Sequence, residues 1–166
     1  VYKRQGRGRV GYAAQVALRH HSHVVADAAQ GRAQHLVVVK VHENFANASA
    51  VAVHNCTFDA AGGNALLLSE HVRGAVVHGN DFVRPGDSAL VLLGRTRLCD
   101  ATAGSQPRGT LVSGNVMREL GIYGKQGAGL FQSLTMSTKV VGNVIFNGPR
   151  AGILFNDGMG GAHEVT

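Results

Sequence analysis

Val77-His78-Gly79-Asn80-Asp81-Phe82 decides the fold. The same pattern returns at Val53-His54-Asn55-Cys56-Thr57-Phe58, Val112-Ser113-Gly114-Asn115-Val116-Met117 and Val141-Gly142-Asn143-Val144-Ile145-Phe146. The asparagines of these segments stand 25, 35 and 28 residues apart. A Gly-bearing turn and a second apolar run follow each one: Ala65-Leu66-Leu67-Leu68, Ala89-Leu90-Val91-Leu92, Gly129-Leu130-Phe131 and Gly152-Ile153-Leu154-Phe155. The repeating unit is therefore strand, turn, strand, turn, with no helical periodicity.

A unit of that size cannot bury a core by itself, but stacked copies pair every strand with its equivalent one coil away. The expected architecture is all-β: a right-handed parallel β-helix, or single-stranded β-solenoid, of about four to five coils over residues 44–166. A corner asparagine can bond to the same residue on the coils above and below, in a ladder of about 4.8 Å repeat. Asn55, Asn80, Asn115 and Asn143 are read as such a structural ladder, with Asn55 buried in it. The longest interval reflects an insertion, residues 95–108, whose Gly, Ser, Thr and Pro content marks a projecting loop. Ala162-His163-Glu164-Val165-Thr166 reads as the approach to one more corner, so the solenoid is expected to be cut at both ends.

The bulk numbers agree with a solenoid and exclude other classes. The chain has 166 residues and a formal charge of +6. Residues 1–50 hold seven Lys/Arg against two Asp/Glu, and residues 51–166 hold nine against eight, so the repeat region is nearly neutral. The nine aromatic residues of the whole chain are scattered, and a nucleic-acid partner is not expected. No apolar run has the length of a membrane span. Of 23 glycines, 19 lie after residue 50, where they punctuate turns. Cys56 and Cys99 have no metal-ligand spacing, and the spacing of Arg19-His20-His21-Ser22-His23 fixes no face of a regular element. Val1-Tyr2-Lys3-Arg4-Gln5 matches the translation of a transposon-end sequencing adapter and is set aside from the fold. Residues 6–43 show no repeat and are left as an irregular stretch or a cap. Asn47-Ala48-Ser49 and Asn55-Cys56-Thr57 fit the N-glycosylation pattern, and Asn47 is the expected acceptor if Asn55 is buried.

From about Asn44 to Thr166 the chain resembles the right-handed β-helix repeat proteins of the pectate-lyase-like superfamily. Within it the chain is similar to a group carrying segments such as Gly62-Gly63-Asn64-Ala65, Gly86-Asp87-Ser88-Ala89, Gln106-Pro107-Arg108-Gly109, Gly121-Ile122-Tyr123-Gly124-Lys125-Gln126 and Asn147-Gly148-Pro149-Arg150-Ala151-Gly152-Ile153-Leu154-Phe155-Asn156-Asp157-Gly158. The last two are long and specific. One departure is Gly127-Ala128-Gly129, where the group tends to carry polar or aromatic residues. The resemblance implies secretion or display at the cell surface, and action on polysaccharide by β-elimination, hydrolysis or epimerisation. A non-catalytic scaffold or glycan-binding surface protein is the alternative, because fold alone does not establish activity.

Aligning the coils on their second strands puts Gly63, Asp87, Gly127 and Arg150 at one corner, with Lys125 two residues earlier in a longer coil. Asp87, Lys125 and Arg150 would then lie on successive coils, about 5 Å apart. Elimination from a uronate needs a base beside the carboxylate and cations or amides that neutralise it. Lys125 is the candidate base and Arg150 the candidate neutraliser, and a charge ladder with Asp87 is the structural alternative. Gln126, Gln132, Phe131, Asn156, Asp157 and His163 are the candidate substrate contacts. Gln132 is either a satisfied buried amide or a groove residue. Asn156-Asp157-Gly158 is either a tight turn or, through Asp157 with Glu70, a Ca2+ site or general acid. Leu67, Val91, Phe131 and Leu154 form an apolar outward row, to be covered by a loop or to serve as a platform for sugar rings.

Overall fold

The strand-forming runs are two to six residues long, so each can bury one face only by pairing with runs of the same kind. The computed structural model of the protein describes residues 37–39, 43–46, 48–95, 105–156 and 160–166. Cys99, Asn47, Asp157, the histidines at 20–23 and most of the 95–108 insertion lie outside the described residues. Among those described there is no helix, and none long and apolar enough to cross a membrane.

The strands are β1 (Val37–Val39), β2 (Glu43–Ala46), β3 (Ala52–His54), β4 (Cys56–Asp59), β5 (Leu66–Ser69), β6 (Val76–His78), β7 (Asp81–Val83), β8 (Leu90–Leu93), β9 (Leu111–Ser113), β10 (Val116–Arg118), β11 (Ala128–Ser133), β12 (Lys139–Val141), β13 (Val144–Phe146), β14 (Ala151–Phe155) and β15 (Glu164–Val165). Every third strand joins the same sheet, giving three five-stranded sheets: β1-β4-β7-β10-β13, β2-β5-β8-β11-β14 and β3-β6-β9-β12-β15. All pairings are parallel. The chain is a parallel β-solenoid of about four turns. A fourth ladder of single bridges, Ser49, Arg73, Arg108, Met136 and Gly161, turns the corner between the second and third sheets.

Three of the rows that face inward are wholly apolar. Val53, Val77, Val112 and Val140 stack on one sheet, and Leu66, Leu90, Leu130 and Ile153 on another. Phe58, Phe82, Met117 and Ile145 fill the third. The Phe58 and Phe82 rings lie nearly parallel with centroids 4.7 Å apart. Full burial of side chains this size contributes about 1.5–3 kcal/mol each, which makes these rows the main source of stability.

The asparagine ladder exists, with one member exchanged. Asn80 Nδ2 donates to Asn115 Oδ1 at 2.9 Å, and Asn115 Nδ2 to Asn143 Oδ1 at 2.8 Å. Each oxygen also accepts the backbone N–H of the previous rung, at 2.9 Å from Asn80 and 3.0 Å from Asn115. The next rung is Cys56, whose N–H donates to Asn80 Oδ1 at 2.9 Å. Asn55 is instead exposed, in the slot that Gly79, Gly114 and Gly142 occupy on later coils. Those four residues have φ of 51°, 66°, 60° and 58°, a left-handed conformation that glycine and asparagine adopt with least strain. Equal suitability for that slot shifted the apparent repeat by one residue, and the Asn55-Cys56-Thr57 sequon is on the surface rather than inside.

Candidate functional site

The corner between the first and second sheets takes residues 84–89 on one coil and the longer 119–127 on the next. The longer corner folds back over the shorter. Gly121 N donates to Asp87 O at 3.0 Å, Ile122 N to Pro85 O at 3.1 Å, and Tyr123 N and Gly124 N to Gly86 O at 2.9 and 2.7 Å. These bonds fix the backbone of an arch whose top is Ile122 and Tyr123. Gly121 makes the turn with φ 65°, and a Cβ there would lie 2.5 Å from Pro149 Cγ. Tyr123 is 76% exposed, a large amphipathic ring held on a fixed backbone.

Lys125 and Arg150 flank the arch, both exposed. Lys125 Nζ donates to Gly121 O at 2.7 Å and Ile122 O at 3.2 Å, so its side chain closes its own loop. Arg150 reaches across one coil and donates from its guanidinium to Gln126 Oε1 at 2.7 Å. Asp87 lies half-buried beneath the arch. A Cβ on Gly127 would be 2.6 Å from Asp87 Oδ1, and one on Gly124 would be 2.9 Å from Asp87 Cγ, so both glycines make room for this carboxylate. The register Ala128↔Ala151 and Leu130↔Leu90 carries Asp87, Gly127 and Arg150 to one corner. No ion pair joins Asp87, Lys125 and Arg150. Among the described residues, ion pairs instead link other residues across coils, including Arg84–Asp59 at 2.7 Å, Arg95–Glu70 at 3.1 Å, Arg118–Asp81 at 3.1 Å and Lys139–Glu164 at 3.0 Å.

The remaining candidates fall in two other places. Phe131 belongs to the outward row Leu67, Val91, Phe131 and Leu154, confirming the parity of the second sheet, and its exposure is intermediate. Gln132 points inward in the row Leu68, Leu92, Gln132, Phe155 and is only 1% exposed. Its Oε1 accepts Thr135 Oγ1 at 3.2 Å, while its Nε2 has no partner. His163 Nδ1 accepts the Thr138 N–H at 3.2 Å, and its ring lies 5.2 Å from that of Phe155. Gln132, Thr135, Phe155 and His163 line a cleft of about 50 Å3 at the end of the solenoid interior. Asn156 is exposed and its N–H donates to Gln132 O at 2.9 Å. Glu70 pairs with Arg95.

The structure therefore brings together Gln126 and Arg150 beside Lys125, with Asp87 below, and separately Gln132 with His163. It does not join the two sets. Tyr123, not singled out from sequence, is the most exposed large hydrophobic side chain of the arch. Its signal was an aromatic ring between glycines in a lengthened corner. Among the described residues no group of three or more His, Cys, Asp or Glu side chains could hold a metal ion. Chemically, the arch offers a ring face, two cations and an amide on a fixed frame.

Comparison of the chain with protein-family models, with curated proteins and with solved structures found no match.

Proposed function

We propose that this β-solenoid binds an acidic polysaccharide at the arch, with Tyr123 as the sugar-stacking platform and Arg150, Lys125 and Gln126 as contacts for uronate carboxylates. It is read as a β-helix of the pectate-lyase-like kind, working outside the cell. The observation that carries this reading is Tyr123, 76% exposed on a loop fastened to the previous coil by four backbone hydrogen bonds. A ring held that way loses little entropy when a ligand stacks on it, which is the general benefit of preorganisation. The ammonium of Lys125 on the same loop and the guanidinium of Arg150, bonded to Gln126 of that loop, favour an anionic over a neutral glycan.

Binding is favoured over cleavage because Lys125, the candidate base for β-elimination, already donates to two carbonyl oxygens of its own loop. Calorimetric titration with oligogalacturonate, oligoalginate and neutral dextran tests the reading. Binding to a uronate polymer, weakened about tenfold by Tyr123→Ala or Arg150→Ala, is expected. Failure to bind any uronate polymer, or binding unchanged in both variants, would sink it. The same mixtures read at the absorbance of unsaturated uronates test for cleavage: product that disappears in Lys125→Ala would turn the binding site into a lyase centre.

A further inference from the structure

His54 and His78 end β3 and β6 as register partners, one coil apart on the third sheet. Both are exposed, with ring centroids 6.0 Å apart and planes at 63°. The next residue in this row is Ser113, whose Oγ lies 2.9 Å from His78 Nδ1. That contact engages Nδ1 and leaves Nε2 as the free nitrogen of the His78 ring.

Imidazole nitrogens bind zinc at about 2.0–2.1 Å, which for two rings in a tetrahedral site puts the centroids about 5 Å apart. Exposed histidines close a gap of about 1 Å by small χ rotations within their broad ring-torsion wells. A metal-ligating histidine typically has its other ring nitrogen held by a hydrogen-bonding neighbour, as Ser113 holds that of His78. The geometry points to a surface site for a divalent transition-metal ion, coordinated by His54 and His78 across two coils, with Ser113 as the positioning residue. Water completes the coordination. Nitrogen ligands without carboxylates select Cu2+ and Zn2+ over Ca2+ and Mg2+.

The test uses the full chain carrying His20→Ala, His21→Ala and His23→Ala, so that the N-terminal histidines do not compete. Titration calorimetry with ZnCl2 and CuCl2 is expected to show one equivalent bound. His54→Gln and His78→Gln should each weaken binding by about tenfold or more, because loss of one ligand removes the chelate. Ser113→Ala should weaken it by about tenfold and Ser113→Thr should restore it. Pulsed electron paramagnetic resonance of the Cu2+ form is expected to show two imidazole nitrogens. No binding in this background, dependence on only one of the two histidines, or a one-imidazole spectrum would overturn the site. Both positions are exposed, so the variants should fold, and cooperative melting checks that they do.

Discussion

Replacing Asn115 by alanine removes four hydrogen bonds from the middle of the ladder. Asn115 Oδ1 accepts the Asn80 backbone N–H and side-chain amide, both at 2.9 Å, and its Nδ2 donates to Val77 O at 3.0 Å and to Asn143 Oδ1 at 2.8 Å. Some partners keep a bond. Asn80 Nδ2 still reaches Val53 O at 3.0 Å, and Asn143 Oδ1 still accepts the Asn115 N–H at 3.0 Å. The Asn80 N–H keeps none, and the site is closed to water, since Asn115 is 0% exposed. One orphaned buried donor costs about 1–3 kcal/mol and the other three lost bonds about 1 kcal/mol each, so the expected loss is about 4–6 kcal/mol. With a urea slope of about 2 kcal/mol per molar, the unfolding midpoint should fall by about 2–3 M. Urea titration followed by far-ultraviolet circular dichroism measures it. A lowered slope would indicate that coils separate before the stack unfolds, and hydrogen exchange of the Asn80 amide would then locate the damage. A loss below about 1 kcal/mol with the Asn80 amide still protected would refute the role assigned to the ladder.

Cys56→Asn should add a rung, because its new amide can donate to Asn80 Oδ1 as the Cys56 N–H already does; a gain of about 1 kcal/mol in the same titration is expected, and a loss would show that the slot does not accept an amide. Asn55→Gly should change stability by less than about 1 kcal/mol, since the left-handed slot accepts either residue; a larger loss would return Asn55 to the ladder. Gly127→Ala should destabilise by about 1–3 kcal/mol, because its Cβ would meet Asp87 backbone at 2.8 Å, and a neutral result would mean the corner is looser than described. The acid side of the stability curve should reflect His54. Its folded pKa is lowered from 6.5, so the unfolded chain binds the proton first and stability falls as pH drops below about 6.5. His54→Gln should flatten that fall, and an unchanged curve would remove His54 from it.

The solenoid was legible because stacked coils repeat their chemistry. Asn80, Asn115 and Asn143 do one job and have one identity, and the inward Val77, Val112 and Val140 each stand three residues before one of them. Asn55 was misplaced because asparagine suits two adjacent slots of this corner: the ladder for its amide, and the left-handed turn for its backbone. The corner shared by Asp87, Gly127 and Arg150 was legible for the same reason, since register sets position along the axis. Side-chain direction was not. Lys125 has a long flexible stem, and the carbonyls it finds belong to an arch whose folding back over residues 85–87 depends on tertiary hydrogen bonds. Gln132 breaks a leucine row, and only the parity of β11 shows that it points inward.

Through-hydrogen-bond scalar couplings, read in a long-range correlation between backbone amide nitrogens and asparagine side-chain carbonyl carbons, test the stacked register most directly. Three correlations are expected: Cys56 N with Asn80 Cγ, Asn80 N with Asn115 Cγ, and Asn115 N with Asn143 Cγ. Correlation of Asn55 N with Asn80 Cγ in place of Cys56, or no correlation between coils, would contradict the fold described.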